Sequence, residues 1–179
     1  MGFAFEFPFS GADENVRVLF YSAVAFFVPF FLDGPQLLVG TIVNAMLVTC
    51  ALDVRGNRVL PVIFLPSIAA VSRGLIFGPF TPFLAVMMPV IWIGNATLVF
   101  GIRRLVSRNV NAVSSVAVAA CAKSIVLFAA AYALVATAAL PALFLTAMGA
   151  VQLATAVMGG GVALFLRNAL MRPRRNASG

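Results

Sequence analysis

The chain contains no histidine, and only five of its 179 residues are acidic. Without histidine the commonest general base and the commonest metal ligand are both missing. The carboxylates, Glu6, Asp13, Glu14, Asp33 and Asp53, are not paired for acid–base work or for holding Mg²⁺. There is no glycine-rich loop ending in Lys-Ser or Lys-Thr to cradle a nucleotide. The expectation is a protein that is not an enzyme and has neither a cofactor nor a metal centre. Cysteine is scarce too. Cys50 and Cys121 fall in different apolar segments, without metal-type spacing, and read as buried thiols rather than a disulfide.

What fills the chain instead is hydrocarbon. Hydrophobic residues make up 63% and charged residues 9%, against ~45–50% and ~25% in a soluble domain. Such a chain cannot cover a water-facing surface, so lipid is its solvent. About 20 residues cross the hydrocarbon as a helix. The expected fold is all-α, a single membrane domain over 1–179 built as a bundle of about six transmembrane helices. The spans read as roughly 17–32, 35–52, 59–77, 83–101, 111–139 and 141–167. Breaks fall at Asp33-Gly34-Pro35, from Asp53 to Arg58, at Gly78 to Pro82, from Arg103 to Asn111, and at Pro141. Pro29, Pro61, Pro66 and Pro89 lie within spans and are expected to bend them.

Charge gives the orientation. With six spans, one side carries Arg17, Arg55, Arg58, Arg103, Arg104, Arg108, Arg167, Arg172, Arg174 and Arg175, and the loops of the other side carry no Lys or Arg. Both ends are therefore expected in the cytoplasm, with the chain multi-pass in the plasma or inner membrane. The net charge of +7 is spread over helix ends rather than gathered in a stripe. It suits lipid headgroups, and no nucleic-acid partner is expected. The start of the chain lacks the basic stretch of a cleavable signal. Phe3, Phe5, Phe7 and Phe9 alternate there and suit the headgroup level, or else an apolar tail.

Two basic residues remain inside spans. A charge at a helix centre costs ~2.5–3.5 kcal/mol on insertion scales. Arg73 sits near the outer end of its segment, where it can snorkel or meet Asp33. Lys123 is at mid-span, and no acid occurs at that depth. It must be neutral, held by carbonyls and amides, or paired with something the sequence does not encode, such as an anionic ligand. Counting ~1.5 Å per residue, Asn44, Asn95, Lys123 and Gln152 share one depth on four helices. They are expected to line a substrate cavity opening outward, with Arg73 as a further substrate-binding residue and Asp33 and Gln36 at the mouth. The alternative for each amide is interhelical glue, worth ~0.6 kcal/mol per bond. Asn44-Ala45-Met46-Leu47-Val48 and Asn95-Ala96-Thr97-Leu98-Val99 echo each other. That suggests a parallel repeat, although Ala, Leu and Val dominate every span. Gly149, Gly159, Gly160 and Gly161, with alanines of the fifth span, permit close helix packing.

Size, six apolar segments and inward ends resemble those of an S component of the energy-coupling factor (ECF) transporters. Local likenesses are Gly34-Pro35-Gln36-Leu37-Leu38-Val39-Gly40, Leu65-Pro66-Ser67 and Gly149-Ala150-Val151-Gln152-Leu153. The family's Ala-x-x-x-Ala contact motif in the first helix is absent, since Phe27 lies four after Ala23. The resemblance implies a pocket near the outer face for a vitamin, metal ion or similar small solute. It also implies a coupling subunit and ATPases as partners that supply the energy. With no intramembrane acid to carry protons or sodium, the residues agree that energy for uphill movement comes from elsewhere. The competing expectation is a non-catalytic structural or assembly subunit of a membrane complex.

Overall fold

The computed structural model describes residues 14–32, 34–74 and 78–170, and every regular element among them is helical. The helices are α1 (Glu14–Phe31), α2 (Gln36–Asp53), α3 (Leu60–Arg73), α4 (Thr81–Ser107), α5 (Ala112–Ala136), α6 (Leu143–Met148) and α7 (Ala150–Leu170). Short 3₁₀ turns, Gly56–Val59 and Gly78–Phe80, lead into α3 and α4. The Phe3 to Phe9 series, Asp33, Arg172, Arg174 and Arg175 lie outside the described residues.

Among the described residues five units are long and apolar enough to cross a membrane: α1, α2, α4, α5 and the combined α6–α7. The segment expected over 59–77 is shorter than that. Its helix α3 has 14 residues, a rise of only ~21 Å. Gly74 ends it in the left-handed conformation (φ 71°, ψ 5°) while its N–H donates to the Ala70 carbonyl, a cap that glycine adopts without steric cost. Pro61 does not bend α3 as expected, because it lies in the first turn, where a missing N–H costs nothing. The fourth segment runs on past 101 to Ser107. There Arg103 is helical and turned inward, donating to the carbonyls of Ala51 (3.2 Å), Val54 and Gly56 (2.8 Å). Ala51 is in the last turn of α2, whose carbonyls lack helical donors, and Val54 and Gly56 follow in the chain just beyond it.

Helix neighbours run α1–α3–α4–α5–α7–α2 and back to α1, a closed ring, with α2 and α4 also touching across it. One end of the ring holds the arginines. Arg58 pairs with Glu14 at 3.5 Å, and Asp53 accepts from Tyr21 Oη at 2.8 Å and from Arg167 at 3.4 Å. The start of α1, the end of α2 and the end of α7 are therefore tied together. Two apolar clusters fill the interior. One, with Leu47, Val48, Leu98, Ile102 and Ala120, lies towards the arginine-rich end. The other, with Met87, Leu127, Phe144 and Met148, lies towards the opposite end.

The α2–α7 contact is the most extensive, and Gly159 makes it possible. A Cβ there would stand 2.5 Å from the Thr41 carbonyl oxygen and 2.8 Å from Asn44 Cβ. Gly161, two residues on, faces open space. Gly159→Val is therefore expected to destabilise the protein by at least ~1–3 kcal/mol through overpacking against backbone. Gly161→Ala should leave stability unchanged or raise it by up to ~1 kcal/mol. Thermal unfolding of the two variants in detergent measures the contrast.

Candidate functional site

Between the two apolar clusters lies a polar layer centred on Lys123 of α5. The side chain is 2% exposed. Its ammonium donates to Asn44 Oδ1 of α2 at 2.7 Å and to Asn95 Oδ1 of α4 at 2.9 Å. Both amides are held by their other ends. Asn44 Nδ2 donates to the Gly40 carbonyl at 2.9 Å and to Thr155 Oγ1 of α7 at 3.1 Å. Thr155 in turn donates to the Gln152 carbonyl at 3.1 Å. Asn95 Nδ2 donates to the Ile63 carbonyl of α3 at 3.0 Å, beside Pro66, which interrupts the helical bonding of that turn.

Each asparagine thus presents its oxygen to the cation because its nitrogen is already used. Hydrogen bonds to an ionised donor contribute ~1.5–3 kcal/mol each. Two of them offset the ~2.5–3.5 kcal/mol insertion cost of a mid-span lysine. Among the described residues no carboxylate pairs with Lys123. An ammonium has three protons. If protonated, Lys123 uses two of them on the asparagines, and no third partner is present among the described residues.

Lys123, Asn44 and Asn95 form the floor of a cavity of about 90 Å³. Gln36 and Gln152 are also in its wall, with Ser67, Pro29 and Pro66, and an apolar side made by Val39, Val43 and Ile91. From Asn44 to Gln36 the wall of α2 rises ~12 Å towards the arginine-poor end. Ser67 is fixed, accepting from Trp92 Nε1 at 2.7 Å and donating to the Phe64 carbonyl at 3.1 Å. At the back of α5, Ser124 donates to the Gly149 carbonyl at 2.8 Å, where the chain breaks between α6 and α7 just before Gln152.

Five of the residues expected to share a site are brought together here: Asn44, Asn95, Lys123, Gln152 and Gln36. Arg73 is not among them. It ends α3 with its side chain exposed, clear of the cavity wall, because Gly74 stops the helix there. Asp33 is outside the described residues. Cys121, expected to be buried, is exposed, whereas Cys50 is buried. Thr155 was not singled out in the sequence, and Ser67 only within the Leu65-Pro66-Ser67 likeness, since hydroxyls are common in apolar helices. The burial of Asp53 against Tyr21 and Arg167 was also missed, although the charge distribution already placed Asp53 and Arg167 at one end. Both asparagines of the sequence echo accept from Lys123.

Comparison of the chain with protein-family models, curated proteins and solved structures finds no match.

The network predicts strong coupling. Asn44→Leu should destabilise the protein by ~1.5–3 kcal/mol, because the ammonium loses an acceptor. In a Lys123→Met background the same change should cost under ~1 kcal/mol, the scale of a neutral interhelical bond. A double-mutant cycle by denaturant unfolding in mixed micelles measures the difference.

Proposed function

We propose that the chain is the membrane-embedded, substrate-capturing subunit of a small-solute uptake transporter, energised by a partner coupling subunit and ATPases. In this reading α3 completes six crossings and both ends are cytoplasmic. The observation that carries it is the buried Lys123 amine on the floor of a polar cavity, bonded to two asparagine oxygens and, among the described residues, paired with no carboxylate. An anionic group on a solute would bind the protonated amine and balance its charge. Amides from Gln36 and Gln152 supply further polar contacts, and Val39, Val43 and Ile91 give an apolar side. The volume is below the ~300 Å³ of a usual ligand site. The cavity therefore accommodates one anionic group rather than a whole vitamin-sized solute.

Energy coupling by a partner follows from chemistry. Asp53, the acid buried at a helix end, is held by Tyr21 and Arg167, about 14 Å of helix rise from Asn44. It stands apart from the cavity. A second reading, an assembly subunit whose polar layer only fixes helix register, is favoured by the two amide acceptors that Lys123 finds inside the fold. It makes a different prediction, since no solute then depends on Lys123.

Purified protein is expected to gain thermal stability from one or a few members of a panel of small carboxylates and phosphate esters. Lys123→Met should weaken that effect at least tenfold, about 1.4 kcal/mol. Binding unaffected by Lys123→Met would remove the cavity as the site. Silence across the panel, with partner subunits lost when the protein is deleted, would favour the assembly reading. For the topology, a cysteine at Thr137 in a Cys50→Ala, Cys121→Ala background should react with an impermeant maleimide on intact cells. One at Ser107 should react only after permeabilisation. The reverse pattern would invert the orientation.

A further inference from the structure

The arginine-rich end holds a second recess, larger than the central cavity and chemically distinct. It is an open cleft of about 450 Å³ between the end of α2 and the end of α4, lined by Leu52, Val54, Arg55, Arg103, Val106 and Ser107 among others. Arg103 forms part of its wall and is anchored. Its Nε, Nη1 and Nη2 donate to the carbonyls of Ala51, Gly56 and Val54, and its guanidinium carbon lies 5.7 Å from the Phe100 ring centre. A guanidinium has five N–H donors, so two are left after these three bonds. Its position is set before any ligand arrives, which lowers the ordering cost of binding. Arg55 is exposed on the same cleft, fixed by its backbone N–H donating to Glu14 Oε1 at 2.6 Å. The Ser107 hydroxyl is a third polar group in the wall. Among the described residues no acidic side chain lines the cleft. Glu14 is engaged by Arg58 and the Arg55 N–H, and Asp53 by Tyr21 and Arg167.

We propose that this cleft binds a phosphate group, with Arg103 and Arg55 as its two cationic contacts, and that an anionic phospholipid headgroup supplies it. Two guanidinium groups match the oxygen geometry of a phosphodiester. Leu52, Val54 and Val106 give the cleft an apolar wall suited to the glycerol and first acyl carbons beside the headgroup. A basic pocket between helices at the membrane surface is a setting where such headgroups bind. The inference is independent of what the central cavity carries.

Full-length protein in nanodiscs of phosphatidylcholine with phosphatidylglycerol or cardiolipin, released for native mass spectrometry, tests it. The expected result is retention of the anionic lipid over phosphatidylcholine, lost in Arg55→Gln and kept in Arg108→Gln. Arg108 lies at the same end but outside the cleft, so it controls for charge alone. Diffuse surface attraction instead predicts an equal loss of about fivefold for either variant, and that result overturns the proposal. Inorganic phosphate, added to delipidated protein, separates the sources. Arg55-dependent thermal stabilisation by phosphate without lipid retention keeps the phosphate site and overturns the lipid as its occupant. Neither lipid retention nor phosphate stabilisation overturns both. Arg103 is left unchanged because it also holds the end of α2.

Discussion

One buried lysine organises this bundle. Lys123 is 2% exposed inside an apolar helix, so its amine must be met by protein or ligand. The two acceptors come from α2 and α4, and each acceptor is oriented by a further element. Thr155 on α7 fixes Asn44, and the Ile63 carbonyl on α3 fixes Asn95. A single charge therefore connects five helices of the ring. The apolar clusters above and below it are non-directional and tolerate sliding. The polar layer does not, because a register shift would strand the cation.

Close backbone approach is what lets that layer form. Asn44 reaches Thr155 because Gly159, one turn further along α7, lets the α2 backbone lie directly against it. In a membrane the gain from helix association comes from such packing and from interhelical hydrogen bonds, not from expelling water. The small residue and the polar pair thus act together: Gly159 sets the distance and Asn44–Thr155 fixes the register. Gly40 belongs to the same seam, since a Cβ there would stand 2.9 Å from Thr155 Cγ2.

Much of this was legible in the sequence, and for identifiable reasons. Helix positions follow from apolar runs, and depth follows from helical rise, so Asn44, Asn95, Lys123 and Gln152 were placed at one level before any coordinates. Rise alone carries no rotation between helices, and so Thr155, on the facing side of α7, went unnoticed. Arg73 was counted into the site because its distance along the chain suited the mouth. Gly74 stops α3 there, and the arginine faces outward. Asp53 looked like a loop residue because it adjoins a break. It is instead the last residue of α2, with its side chain shielded by α1 and α7. Hydropathy reports where a helix stops, not what its end is packed against.

The polar ties are distributed unevenly along the bundle axis, and this bears on access to Lys123. At the arginine-rich end Asp53 links α2 to α1 and α7, Arg103 links α4 to the end of α2, and Glu14 links α1 to the turn before α3. Among the described residues the opposite end shows fewer such polar ties: Gln36 to the Ala147 carbonyl at 3.5 Å, and Thr81 to the Gly74 carbonyl at 3.2 Å. Local opening follows the weakest set of contacts. Among the described residues that set lies around Gln36, Gly74 and the short α6. The cavity wall rises from Lys123 towards that same looser end, past Pro29 and Pro66, where missing helical bonds already soften α1 and α3. The wall that rises from Lys123 and the end with fewer described ties thus coincide.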